Sequence, residues 1–424
     1  MKKFAFLVVL AMLCSIVVLP ALADDQLIVA WWGNQTRNER TQSVLETYQT
    51  LNPGISIDPQ FVAWADYWNK LATASAGHTL PDVVQMDYQY LVQYVSNNLL
   101  VDLNPYVEDG TLDISSVNDG IIESGSVDGG LYAICLGVNA PALLYNKTLL
   151  DENGITVKDG MTLDEFIALS KEIYEKTGYK TNIGFGSDHV FDYLLRGEGK
   201  SEFTGSELTA TVEDAEAYFK LYEDGITEGW HLGSEVFAET TIGSVEQDPM
   251  VYGSDPSNMS WCAFFWSNQM TALQAAAPEG VEVGITTWPS IDPDQSNYLK
   301  PSQFFSVTVD SANPAEAVKI VDYFTNDVAC NEVLLGERGI PASSKVAAAI
   351  SPLLDEINQK VQAYIDYVSS HSTPVPKPIP NGASEVFALA DELQEQVCYG
   401  ATDAATAAAT FVEQATQIMA DKNQ

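Results

Sequence analysis

The chain is poor in the side chains that most often carry metal binding and catalysis. Among its 424 residues are only four histidines, His78, His189, His231 and His371. No two of them stand at metal-ligand spacing, which argues against a histidine-based metal centre. The five cysteines form neither a CxxC nor a zinc-type pattern. Basic residues are scarce too, 20 against 58 acidic, for a formal charge of −38. Such a surface should repel nucleic acid and anionic lipid; its plain meaning is solubility, and it defines no ligand. A Walker A loop, a GxGxxG after a strand, an HExxH and a GxSxG elbow are all missing. No cofactor is therefore implied. With 58 acidic residues a carboxylate pair for glycoside hydrolysis is always available, so it carries little weight.

Apolar and aromatic residues are abundant. The apolar fraction is 46%, with eight Trp, 19 Tyr and 16 Phe. That suffices for packed cores and excludes disorder as a global description. The length predicts two or three lobes.

Residues 1–23 read as a signal peptide. Lys2 and Lys3 precede the apolar run FAFLVVLAMLCSIVVL, and Ala21-Leu22-Ala23 is a small-x-small cleavage site. The run is about 16 residues, short of the ~20 that span a bilayer, so cleavage is favoured over a membrane anchor. Cys14 raises a lipoprotein as a third option, but Leu13 and Ala11 fit a lipobox poorly. No later segment is long and apolar enough to span. Cleavage removes two lysines, leaving 18 basic against 58 acidic residues, a charge of −40. Cys135, Cys262, Cys330 and Cys398 remain; export permits disulfides, but the spacing pairs none, and buried free thiols are expected.

The mature chain opens with a strand over Gln26 to Trp32. A helix over Arg37 to Leu51 follows, stopped by Asn52-Pro53-Gly54, then the strand ISIDPQFV, a helix over Trp64 to Ala76, and the strand PDVVQM. This alternation predicts a parallel sheet with right-handed crossovers. Thr162 and Glu165 have capping-box spacing at a helix start. Helices are expected over Thr211 to Tyr222 and Trp266 to Ala277, and strands in MSWCAFF, VEVGITTWP and FFSVTVD. The stretch SIDPDQSNYLKPSQ reads as loop. Asn313-Pro314 starts a helix, and the chain after Pro341 is nearly all helical, interrupted by the rigid HSTPVPKPIPNG.

Several segments, in this order, resemble one family: LPDVVQMDYQYLVQY, GLYAICLGVNAPALLYNKTLL, WCAFFWSNQ, FFSVTVDSANPAEAVKIVDYFTND and LLGERGIPASSK, followed by PVPKPIPNGAS. Together they are similar to the extracellular solute-binding proteins of carbohydrate ABC importers, the group that includes maltose-binding protein. WWGNQTRNE with LGERGIP is similar to a subgroup importing plant-derived oligosaccharides. The resemblance implies an α/β, two-lobed periplasmic-binding-protein-like fold of type II, with three interlobe crossings. These fall near Gly137 to Pro141, Thr286 to Ser290 and Gly339 to Pro341. The N-lobe would comprise residues 24–138 plus 289–340 and the C-lobe 139–288 plus 341–424. It implies an exported, non-enzymatic and monomeric receptor that binds a mono- or oligosaccharide and hands it to permease subunits in the membrane.

A sugar offers apolar C–H faces to aromatic rings and a rim of hydroxyls to carboxylates and amides. Strand-end residues of those types are the candidates. Trp32, Asn34 and Gln35 follow the first strand, with Trp32 assigned to the cleft and Trp31 to packing under a helix. Asp87 and Tyr88 follow the third strand. Asp87 also suits a helix N-cap, and Tyr88 also suits a core. Trp64 and Tyr67 read equally as cleft or core, and Trp68 as core. Asn139 lies in the first crossing. Trp266 and Asn268 follow a strand ending at Phe265, and Trp266 is the expected stacking platform. Gln303 and Phe304 begin a strand after the second crossing. Arg338 sits at the third, as a ligand contact or a structural ion pair. For a uronate, Arg338 and Arg37 would be the carboxylate partners. Phe191, Tyr193 and Trp230 are weaker candidates. A secreted glycoside hydrolase and a receptor for a non-sugar solute are the rivals.

Overall fold

A computed structural model describes residues 25–33, 35–62, 64–184, 187–237, 245–253, 255–377 and 380–422. The signal-peptide region and Asn34 lie outside them. The chain begins β1 (Asp25–Trp32), α1 (Gln35–Leu51), β2 (Ile55–Val62), α2 (Trp64–Ala76), β3 (Val83–Met86) and α3 (Tyr88–Ser96). After β4 (Ile134–Asn139) and β5 (Pro141–Asn146) come α4 (Leu163–Thr177), α5 (Ser187–Gly197), α6 (Val212–Glu228) and β6 (Cys262–Trp266). Then follow α7 (Met270–Ala276), β7 (Val283–Thr286), β8 (Lys300–Val307), α8 (Pro314–Asn326), α9 (Val328–Leu334) and β9 (Ile340–Pro341). The tail carries α10 (Glu356–Ser370), α11 (Ala383–Cys398) and α12 (Ala404–Lys422).

Two separate sheets define the two lobes. The larger has the strand order β9-β4-β8-β3-β1-β2, and the smaller β6-β5-β7. β1 pairs parallel with β2 on one side and with β3 on the other. Right-handed crossovers therefore put α1 and α2 on opposite faces. Val44, Leu45 and Tyr48 of α1 pack with α8 on one face, while Tyr67 and Leu71 of α2 fill the other. The connections leave in opposite directions between β1 and β3, so a crevice opens beyond the carboxyl ends of these strands. β8 runs antiparallel to both β3 and β4.

β4 belongs to the larger sheet and β5 to the smaller, with Ala140 alone between them. Two glycines make this crossing possible. A Cβ on Gly137 would lie 2.3 Å from the Arg338 carbonyl oxygen, and Gly339 adopts φ +95° with Val138 O 2.9 Å from where its Cβ would be. Chain segments pass there at backbone contact, which only glycine allows. Apolar packing continues from Val138 through Ala140 and Ala142 to Tyr364 and Ile365 of α10.

Thr162 and Glu165 form the expected capping box of α4, and Thr211 with Asp214 forms another on α6. Several boundaries differ from the sequence reading; the helix expected over Trp266 to Ala277, for one, forms over Met270–Ala276. β6 runs through Trp266 rather than ending at Phe265, because Trp266 pairs with Pro141. β8 starts at Lys300, not near Gln303, because Lys300 pairs with Asn139 despite the adjacent Pro301. Cys135, Cys262, Cys330 and Cys398 are buried free thiols. Among the described residues no helix is long and apolar enough to cross a membrane.

Candidate functional site

β1 ends in two tryptophans that face opposite sides of the sheet, as strand alternation requires. Trp31 is fully buried, stacked on Phe61 at 5.1 Å, and donates from Nε1 to Asn38 Oδ1 at 2.9 Å. Trp32 lies on the α2 face among Trp64 at 4.8 Å, Tyr67 at 5.2 Å and Trp68 at 5.5 Å. Trp68 in turn stacks on Tyr90 at 3.8 Å. The cluster leaves Trp32 8% exposed, whereas Trp64 at its rim is 39% exposed. The ring that the larger lobe presents to solvent is thus Trp64, with Trp32 as its backing. Tyr67 is core: it is 1% exposed, and its hydroxyl is shared between the carbonyls of Gln85 and Ala30 at 2.8 and 3.1 Å. Gln35 is exposed and donates to Glu39 at 2.6 Å.

Asp87 follows β3 and caps α3, its Oδ1 accepting the Gln89 N–H at 3.0 Å. Burial pushes its carboxyl above the usual carboxylate range, and the Gln89 N–H and the Lys300 cation work against that. Tyr88 lies half-buried over Phe304, with ring centroids 6.4 Å apart. Its hydroxyl donates to Pro376 O at 2.9 Å. The proline-rich segment is held from the opposite side by Arg196, which donates to Thr373 Oγ1 at 2.6 Å and Pro374 O at 2.9 Å. Tyr88 therefore ties the two lobes together.

The smaller lobe contributes Trp266. Its indole is half-buried, with Trp288 at 5.9 Å, Tyr298 at 6.3 Å and His189 edge-on at 4.9 Å. Lys300, from the larger sheet, lays its ammonium 4.6 Å from the indole centroid. Asn268 is exposed on the turn after β6. The next-door Ser267 exchanges two hydrogen bonds with Ala140 in the crossing, at 2.9 and 3.1 Å. Asn139 is 8% exposed, and its Oδ1 has no hydrogen-bond partner among the described residues.

Besides Tyr67, three more predicted contacts are corrected by burial. Phe304 is fully buried in the core under α3. Gln303 is 3% exposed, and its Nε2 donates to Arg338 O at 3.2 Å. Arg338 points away from the crevice under α1, 4% exposed. Its Nη2 donates to Thr41 at 2.8 Å, and its guanidinium lies beside the edge-on Phe305–Phe324 pair, 5.8 and 5.9 Å from the two ring centroids. Burial lowers its pKa to about 9, and the neighbouring Arg37 adds to this. Arg37 is itself bound to Glu337, with Nε 2.9 Å from both carboxylate oxygens. The weaker candidates Phe191, Tyr193 and Trp230 are core residues of the smaller lobe, each at most 2% exposed. Sequence reasoning missed Lys300 because the adjacent Pro301 made the segment look like a loop. It passed over Tyr90, although its spacing from Asp87 across one helical turn was a usable signal.

The strand-end residues that do meet across the crossing are Asp87, Tyr88, Asn139, Trp266 and Lys300. Two lobes joined by short crossings, with aromatic, acidic and amide groups converging between them, define a two-lobed solute receptor. The sequence pattern described as bacterial extracellular solute-binding protein matches residues 43–364. The chain belongs to that family. A solved extracellular solute-binding protein of family 1 from Alicyclobacillus acidocaldarius superposes with a TM-score of 0.82 at 24% identity, covering 93% of this chain and 98% of that one. Among curated proteins, an erythritol/L-threitol-binding protein of Mycolicibacterium smegmatis is 26% identical over 200 residues, 42% of each chain. An arabinooligosaccharide-binding protein of Halalkalibacterium halodurans is 24% identical over 163 residues, 37% of this chain and 35% of the relative. These two alignments span under half of the relatives' lengths. The relatives are binding proteins.

Proposed function

We propose that this chain is the exported receptor of an ABC importer, capturing a mono- or oligosaccharide between its lobes and delivering it to permease subunits. In this reading it is made with a signal peptide ending at Ala23 and works as a monomer on the outer side of the cytoplasmic membrane. It makes and breaks no bond. The N-lobe comprises 24–138 plus 289–340, and the C-lobe 139–288 plus 341–424. The change of sheet between β4, which ends at Asn139, and β5, which starts at Pro141, supports a boundary next to the first of those.

The observation that carries the reading is the meeting of Trp266 with Lys300, Asp87 and Asn139 across the crossing, with Trp64 exposed at the rim of the larger lobe's aromatic cluster. Aromatic faces cover sugar C–H surfaces, and a desolvated carboxylate accepts from hydroxyls. Gln35 and Asn268, both exposed near the strand ends, are available to the rim hydroxyls, and Asn34, next to Gln35 in the sequence, is proposed for the same role. The carbohydrate named for the Halalkalibacterium relative agrees in class, and plant-derived oligosaccharides are the first ligands to try. A thermal-shift screen over mono- and oligosaccharides, uronates, polyols and amino acids tests this. A tight ligand should raise the melting temperature, since a hundredfold excess over Kd stabilises by about 2.7 kcal/mol. A shift with a non-sugar solute and with no saccharide would overturn the reading, and turnover of an oligosaccharide would replace it with hydrolysis.

A further inference from the structure

The crevice contains a charged group that the stacking role of Trp266 does not use. Lys300 is the first residue of β8, half-buried, and pairs with Asn139 at the crossing. Its ammonium stands over the Trp266 ring, 4.6 Å from the centroid. The same cation acts on the Asp87 carboxyl. Both arginines considered for a carboxylate partner are committed elsewhere, Arg37 to Glu337 and Arg338 inside the larger lobe. In a chain with 58 acidic and 20 basic residues, a cation kept at this position marks a local preference against the overall charge.

We propose that Lys300 is a specificity-determining residue that selects a saccharide carrying a carboxylate over its neutral counterpart. This rests on the saccharide reading above. A neutral ring stacking on Trp266 displaces the ammonium and forfeits its attraction to the indole. The carboxylate of a uronic acid draws the ammonium off the ring into a charge-assisted hydrogen bond. That exchange clears the indole for the sugar face and keeps the cation paired. Asp87 then serves the hydroxyls, so the two charged groups read different parts of one ligand.

Titration calorimetry tests this with matched pairs: D-glucuronate against D-glucose and D-galacturonate against D-galactose, as monosaccharides and as disaccharides. The wild-type chain should prefer the acidic member of a pair. Lys300→Met should weaken the acidic ligand by about tenfold or more, while neutral binding stays level or tightens. Lys300→Arg should retain the preference, and it keeps the test valid should Lys300→Met fold poorly. A wild-type preference for the neutral member, or an equal loss for both in Lys300→Met, overturns the proposal. Binding of a non-sugar solute with no saccharide bound by any variant overturns the saccharide reading and this inference with it.

Discussion

Each tryptophan near the crevice has a different share of packing and of exposure. Trp31 fills the α1 face with its N–H satisfied by Asn38. Trp31→Ala should lower unfolding free energy by about 3–5 kcal/mol, measured by urea denaturation, and leave affinity for the captured ligand nearly unchanged. Trp64 is exposed, so Trp64→Ala should do the reverse, with little loss of stability and a clear loss of affinity. Trp32 stands between the two, and its replacement should lower both. The opposite orientation of the paired indoles was legible in the sequence, because strand alternation dictates it. The degree to which Trp32 is covered was not, because its cover comes from Trp64, Tyr67 and Trp68 of α2, through packing that one strand does not report. Arg338 shows the same limit: the sequence places it at a crossing, but the sheet face it takes depends on the fold. Arg338→Ala should lower the melting temperature, since Thr41 loses its donor and the Phe305 and Phe324 rings lose the guanidinium packed beside them, with ligand affinity unaltered.

At the scale of elements, caps and periodicity made helix starts in both lobes readable. The Thr162–Glu165 box and the Asn313-Pro314 helix start both formed where expected. The segment 180–183 was not legible, because its partners are distant in sequence. Asn182 donates to Asp248 at 3.2 Å, and the Ile183 N–H donates to His231 Nε2 at 3.1 Å. Burial pushes His231 down to about 4 from the usual 6.5. The folded chain therefore binds fewer protons than the unfolded one between these values, and His231 makes stability fall as pH drops through them. Burial pushes Asp248 up to about 7 from 3.8. There the folded chain binds more protons, so Asp248 makes stability fall as pH rises through that interval. The two slopes oppose each other where they overlap. Asp248→Asn should remove one of them, and calorimetric melting temperatures should then fall more steeply than wild type as pH is lowered from about 6.5 to about 4.

For the whole molecule, the question is what holds the lobes together and what closes between them. Tyr88 bonds to the proline-rich segment, whose Pro374 and Pro376 lack backbone donors and so offer carbonyls only. Tyr88→Phe should remove about 1 kcal/mol of interlobe attraction and enlarge the ligand-free radius of gyration measured by small-angle X-ray scattering. An unchanged radius would mean that α10 packing alone sets the lobe angle. The two-lobed architecture was legible from the order of segments along the chain, whereas the contact of Lys300 with Trp266 exists only once both sheets have formed. The claim that a saccharide is captured against Trp266 is tested most directly by calorimetric titration of the best saccharide from the screen into wild type and Trp266→Ala. The expected result is one ligand per chain for wild type and an affinity at least about tenfold weaker for Trp266→Ala, with the ligand-free melting temperature little changed. Equal affinities in the two proteins would contradict it.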